Sequence, residues 1–356
     1  MPYPQFDRSQ LSIQPLGQRQ NKVVIERAHV SPDARPRALS EDGQRIMAET
    51  VQRIRAARAA GKPVILAFGA HAIKNGLAPV LIRLIERGWV THLATNGAGI
   101  IHDWEFAYQG QSSEDVRRYV AAGQFGIWEE TGGNINLALV VGAYEGKGYG
   151  EAVGALIVNE GLTIPPLREL TGSAAALDLA EIIQRFNLAP GFRKVPHRFQ
   201  QFSAQAAAYR LGVPFTGHPM FGHDIIYCHP FNCGAAIGRT AERDFLTYAN
   251  AINQLEGGVY LSVGSAVMSP MIFEKSLSMV NNLAIQQTGH PLTTHYMVVV
   301  DLAAAPWDWQ KNGEPPPDNP AYYLRYCKTF SRMGGQLRYL TADNRDFLLT
   351  LAGELA

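Results

Sequence analysis

The residues with the types and spacing to do chemistry fall into a few short, glycine-bearing segments. Gly69-Ala70-His71 is one. Asn96-Gly97-Ala98-Gly99, followed by His102-Asp103-Trp104-Glu105, is a second. The densest runs from Gly217-His218-Pro219 to Gly222-His223-Asp224, with Cys228-His229 just beyond it. Gly264-Ser265 and Asp301 each close an apolar run. Glycine lets a backbone approach a ligand closely. A carboxylate can accept both protons of a diol. A histidine near its ordinary pKa can move protons at neutral pH. His218, His223, Asp224 and His229, with His71, His102, Asp103 and Glu105, are also the types that ligate zinc, iron or manganese. No HExxH or similar tight spacing accompanies them. Histidines bonded to a ligand or to loop backbone are the competing reading.

These segments need elements to hold them. Val64 to Phe68 is an apolar run of the kind buried on both faces. Ile73, Leu77, Val80, Leu81, Leu84 and Ile85 recur at helical spacing, and Val90 to Ala94 reads as the next strand. This is a βαβ unit, and ligands of open parallel sheets bind at the carboxyl ends of strands. Further strands are predicted at Val213 to Thr216, Gly258 to Val263, Tyr296 to Leu302 and Leu337 to Thr341. Helices are predicted at 41–60, 149–160, 174–186, 199–211, 242–255, 321–330 and 347–355, with one starting at Ser113. Gly123 to Asn136 reads as a glycine-rich site loop and Trp307 to Asn319 as a proline-rich one. Alternating strands and helices predict an α/β fold: a Rossmann-like parallel sheet with helices on both faces. Residues 1–40, with prolines at 2, 4, 15, 32 and 36, read as an extended arm, and 41–356 as one domain.

The net charge of +1 gives no reason to expect nucleic acid or an anionic membrane. No apolar run is long enough to span a bilayer, and no signal-peptide pattern opens the chain. Three cysteines predict a reducing, cytoplasmic setting over a disulfide framework.

The order of these pieces over residues 40–356 resembles deoxyhypusine synthase. Asn96-Gly97-Ala98-Gly99 stands where that family has a Thr-Ala-Gly-Gly turn, with Asp103 at the place of a following acid. The segment ending Gly222-His223-Asp224 is similar to a glycine-rich loop ending Gly-Asp, and Gly264-Ser265 to part of a triple-glycine turn. Pro320 to Lys328, before a strand and a last helix, resembles the segment that holds the family's nucleophilic lysine. The resemblance implies NAD, a hydride taken from a polyamine, and an aminoalkyl group passed through a lysine imine to an acceptor amine. It implies NAD contacts at Ala70, His71, Asn96, Gly97, Ala98, Gly99, Asp103, Gly217, His218, Gly264, Ser265 and Asp301. Asp103 and Asp301 are the acids placed to meet ribose hydroxyls.

Lys328 would form the imine, and for that its pKa must fall, through desolvation or a nearby cation. Tyr322, Tyr323 and Tyr326 are placed to shield it. Asp224 would hold the substrate's distal ammonium, Tyr322, Tyr326 and Ser269 would line the substrate, and His223 or His229 would carry the released proton. The resemblance also implies a homotetramer, or at least a dimer, with the arm packed across subunits. Tyr322 replaces a glutamate of the family and Ser269 a histidine, while His102 replaces an acid. Fewer carboxylates predict a substrate smaller or less cationic than spermidine. The alternatives are a metal-dependent hydrolase or lyase, and a non-catalytic NAD-binding oligomer.

Overall fold

Six apolar runs form a parallel sheet: β1 (Val64–Phe68), β2 (His92–Asn96), β3 (Phe215–His218), β4 (Val259–Val263), β5 (Tyr296–Asp301) and β6 (Gln336–Thr341). The computed structural model describes residues 3–304 and 307–356. The strands lie in the order β3-β2-β1-β4-β5-β6, and every neighbouring pair is parallel. Chain order therefore reverses between β1 and β4, the position where open α/β sheets leave a ligand crevice.

Strand periodicity sends alternate side chains to opposite faces. Leu66, Phe68, Leu93, Leu261 and Val298 share one core with α1 (Glu41–Ala59), α2 (Ala78–Glu86), α3 (Gly97–Gln109), α5 (Tyr149–Val158), α7 (Ala204–Leu211) and α11 (Asn344–Glu354). Ile65, Ala67, Tyr260, Met297 and Val299 share the other with α8 (Gly234–Asn253), α9 (Met268–Thr288) and α10 (Arg325–Ser331). A third cluster joins α4 (Glu129–Glu145) to α6 (Ala174–Arg185) through Leu137, Val141, Leu179 and Ile183. The fold is the Rossmann-like α/β sheet with helices on both faces that the alternating pattern predicts. Among the described residues no helix is long and apolar enough to cross a membrane.

Three local readings are corrected. Asn96 to Gly99 is not a loop: Asn96 Oδ1 accepts the Gly99 N–H at 2.9 Å and caps α3, so the glycines form its first turn. Gly123 to Asn136 is not a loop throughout, because α4 begins at Glu129 and packs on all sides. No helix starts at Ser113. Gln111–Glu114 is a strand, and the following helix, Val116–Ala121, is capped by Asp115.

The N-terminal arm lies on the body. Its Asn21–Val24 strand pairs antiparallel with Gln111–Glu114. Arg8 Nη1 donates to the Tyr227 carbonyl at 2.8 Å and to Asn232 Oδ1 at 2.9 Å. Arg37 Nε reaches Asp346 Oδ2 at 2.8 Å. The Arg8 contacts place the start of the arm beside the segment that follows β3, and Arg37 holds its end against α11.

Two glycines separate packing from backbone conformation. A Cβ on Gly69 would lie 2.0 Å from the Gly264 carbonyl, whereas Gly88, at φ +70°, faces open space. Gly69→Ala should lower unfolding stability by about 2 kcal/mol or more, since backbone must move. Gly88→Ala should cost only about 1 kcal/mol, from the left-handed conformation. Urea midpoints at constant slope measure both. Equal losses would remove the close β1–β4 approach from this account.

Candidate active site

The strongest concentration of polar chemistry lies at the carboxyl ends of β2 and β3. Residues of α3 face the segment after β3 across a cavity of about 220 Å³, and Ala98, His102, Glu105, His223, Asp224 and Lys74 are among those that line it. Helical spacing puts Ala98, His102 and Glu105 on one face of α3. Asp224 precedes the short helical turn Ile225–Cys228.

Asp224 is the unusual group. Its Oδ2 is buried and has no hydrogen-bond partner. Burial pushes its carboxyl up to about 6, against weaker pulls from His223 and the Met220 backbone. A Cβ on Gly97 would lie 2.1 Å from Oδ2, so only glycine in the first turn of α3 leaves room for this carboxylate.

Opposite it lies a buried network centred on Glu105. Arg19, from the arm, donates to both oxygens of Glu105 at 2.8 and 2.6 Å. Ser112 Oγ donates to Glu105 Oε2 at 2.5 Å, and Thr131 Oγ1 to Oε1 at 2.8 Å. Burial raises the Glu105 pKa, but Arg19 and the hydrogen bonds outweigh it and leave the carboxyl below its usual range. His102 Nδ1 lies 2.7 Å from Ser112 Oγ. Burial lowers its pKa to about 4; Lys74 and Arg19 add to this and Glu105 opposes it. Glu114 accepts from Trp128 Nε1 at 2.9 Å, and its pKa is raised chiefly by burial. Ser113 holds φ +72°, a left-handed conformation that costs a non-glycine residue on the order of 1 kcal/mol. It sits between Ser112 and Glu114, whose side chains both enter this network.

The predicted site residues divide into groups. Ala98, His223 and Asp224 meet at the cavity. Gly69 and Gly264 meet at the β1–β4 switch, where the Gly69 N–H donates to the Val263 carbonyl and Gly264 holds φ +57°. His71 is exposed one residue into the short helix after Gly69, and Ala70 starts that helix. Asp301 closes β5 and accepts the Ala303 N–H at 2.9 Å.

Other residues are turned to structural use. Asp103 is fully buried and accepts from Ser203 Oγ, Ala204 N, Gln205 N and Gln205 Nε2, so it caps α7 and offers nothing to a ribose. His218 is buried on Thr216 Oγ1 at 2.9 Å, and burial lowers its pKa to about 3. The Gly217 N–H is spent on Asp244 Oδ2 at 2.6 Å. Ser269 is fully buried, with Ser269 Oγ 2.8 Å from the Tyr260 hydroxyl. Ser265 Oγ accepts the Ser269 N–H at 3.2 Å. His229 is buried, its Nδ1 accepting from Phe231 N at 3.1 Å and its Nε2 3.4 Å from Glu129. It is not free to carry a proton into the cavity.

The expectation for Lys328 is reversed. Its Nζ lies 2.8 Å from Glu314 Oε1 and 3.4 Å from the centre of the Tyr322 ring. Both contacts favour the ammonium, and Glu314 first of all raises the lysine pKa. Tyr323 points to solvent, and the Tyr326 hydroxyl is 3.5 Å from that of Tyr339. None of these contacts joins Lys328 to Asp224. The metal reading loses its ligand set as well: among the described residues no three His, Cys, Asp or Glu side chains gather around a common point. Sequence reasoning missed Arg19, Lys74, Ser112 and Glu114. The closest signal was the pairing of His102 with Glu105 at helical spacing.

Asp224 makes a pH prediction. Its folded pKa lies above its ordinary value of 3.8, so its linked stability is full below that value and is lost as pH rises through about 6. Asp224→Asn should therefore stabilise the ligand-free protein at pH 8 by on the order of 3 kcal/mol, and hardly at all at pH 4. Urea unfolding at the two pH values measures this. An equal effect at both would mean that the carboxyl is not strained by burial.

No protein-family model matches the chain, and no curated protein matches it. Solved structures do. Unliganded AgrE is 17% identical, with 90% of this chain and 34% of that one covered, at a TM-score of 0.45. A conserved LOR/SDH protein from Methanococcus maripaludis S2 is 12% identical, with 91% and 72% covered, at 0.45. A protein of Entamoeba histolytica assigned as a deoxyhypusine synthase is 10% identical, with 87% and 88% covered, at 0.40. The chain spans about a third of the length of AgrE.

Proposed function

We propose that the chain is a NAD-dependent enzyme that acts on a small amine held in the cavity between α3 and the segment after β3. One observation carries the amine: Asp224, whose Oδ2 has no hydrogen-bond partner, is an acid that lines the cavity. An ammonium there would supply the missing donor and favour the ionised carboxylate. Of the other acids on the wall, Glu105 is neutralised by Arg19, and Glu114 accepts from the Gly126 N–H and Trp128 Nε1 with Arg19 3.8 Å away, so Asp224 is the acid with an unused oxygen.

The strand order supports the cofactor. A dinucleotide would lie at the switch between β1 and β4, the position where open parallel sheets bind one, with the closely packed backbones of Gly69 and Gly264 at its floor. Gly69, Gly264, Ser265 and Asp301 would lie against it, and Asp301 is the remaining acid for ribose hydroxyls. NAD, when bound, would supply the hydride acceptor. The chain's own work is then to fix the amine through Asp224, to exclude water between α3 and the arm, and to manage the amine's protons.

Aminoalkyl transfer through a Lys328 imine is the narrower form of the proposal. It asks Lys328 to leave Glu314 and shed a proton. A homo-oligomer, tetrameric by the resemblance, belongs to the proposal too; exposed Met271, Met279 and Leu283 on α9 support an interface there.

A small diamine such as 1,4-diaminobutane should raise the melting temperature of the wild type, because binding to the native state stabilises it. Asp224→Asn should weaken that binding roughly tenfold or more, about 1.4 kcal/mol per tenfold. Lys328→Arg should leave it intact, and loss of turnover in that variant alone would favour the imine route. A diamine that binds Asp224→Asn as well as wild type would remove the amine reading.

A further inference from the structure

The hydrogen bonds around His102 fix which of its nitrogens is bare. Glu105 is ionised and bound to Arg19, so it can only accept. Ser112 Oγ must therefore spend its single proton on Glu105 Oε2, 2.5 Å away. That leaves a lone pair of Ser112 Oγ to meet His102 Nδ1 at 2.7 Å, so Nδ1 carries the proton. In a neutral imidazole Nε2 then has none. Among the described residues Nε2 has no hydrogen-bond partner, and the His102 side chain lines the cavity that Asp224 also lines.

We propose that His102 Nε2 is the proton acceptor of this cavity, oriented by the Ser112–Glu105–Arg19 chain. The inference rests on the amine reading above and assigns the base for it. The substrate's distal ammonium pairs with Asp224, and the reacting ammonium, R–CH2–NH3+, faces His102. One N–H bond breaks, its electron pair stays on the nitrogen, and the proton forms an N–H bond at Nε2. The products are the neutral amine R–CH2–NH2, from which a hydride can leave, and an imidazolium protonated at both nitrogens. Lys74, on the same wall, disfavours an ammonium and an imidazolium beside it alike, so it does not by itself drive the transfer. Glu105, one hydroxyl away, favours the new positive charge on the ring. Ser112 and Arg19 are positioning residues, since neither needs to touch the substrate.

Carbethoxylation tests the nitrogen without requiring turnover. Diethyl pyrocarbonate attacks unprotonated imidazole nitrogen, so peptide mass mapping of the wild type at pH 7 should find His102 labelled. Saturating 1,4-diaminobutane should protect it. His102→Gln should keep the diamine's melting shift and lose diamine-dependent NADH formation at least a hundredfold. Ser112→Ala frees Nδ1 and should shift the pH profile of that activity, which a purely structural serine would not. An unlabelled His102 beside a labelled, exposed His223 would overturn the proposal while leaving the Asp224 shift standing. Labelling that diamine does not protect, with no melting shift, would overturn the amine reading and the base role built on it.

Discussion

The buried pair between Arg19 and Glu105 is the constraint on which the candidate site depends. Both side chains are about 1% exposed. Two charges taken out of water cost several kcal/mol each unless geometry and further hydrogen bonds compensate. Here the guanidinium is bidentate, and Ser112 and Thr131 take the remaining acceptor capacity of the carboxylate. Removing either partner would strand a buried charge, a loss of about 3–5 kcal/mol. The pair draws four segments together: the arm, α3, the Gln111–Glu114 strand and the start of α4. The arm is thus a wall of the cavity, and the ring of His102 takes its orientation from the same knot.

The parts of the fold legible in the sequence are those where burial on both faces leaves one solution. β1 falls at Val64–Phe68 as read, because an apolar run between a glycine turn and a helix has no solvated face to satisfy. Two of the three misread segments are those where glycine signals packing. Gly132 and Gly142 sit inside α4, where a Cβ would come within 2.6 Å of His229 and 2.4 Å of Ala152. Glycine looks like a loop in the sequence, yet here it lets helices approach.

The site was legible where a residue acts alone and opaque where it acts through a distant partner. Asp224 was identifiable as a carboxylate in a strand-end segment. Arg19 and Glu105 are 86 residues apart, and nothing local joins them. Asp103 and Glu105 are two residues apart on one helix, and the turn between them sends one to cap α7 and the other to the cavity. Lys328 was misjudged for a similar reason: Glu314, which holds its charge, comes from the proline-rich stretch that offered no reason to look there.

Asp224 differs from the buried acids of the scaffold in its hydrogen bonding, since its Oδ2 has no partner. It lies against the first turn of α3, whose dipole favours an anion by up to about 2 kcal/mol. Its pKa nonetheless rises to about 6, a penalty of about 3 kcal/mol on the charged form, so burial wins over the dipole. Burial also raises the pKa of the scaffold acids Asp103 and Asp244, the latter to about 7, but these are hydrogen-bonded: Asp103 accepts four hydrogen bonds and holds a helix in place. A Cβ at position 97 would meet the Asp224 carboxylate first, so the glycine and the acid are matched. A cation held in the cavity would favour the ionised form of Asp224 and let the helix dipole and the ion pair act together.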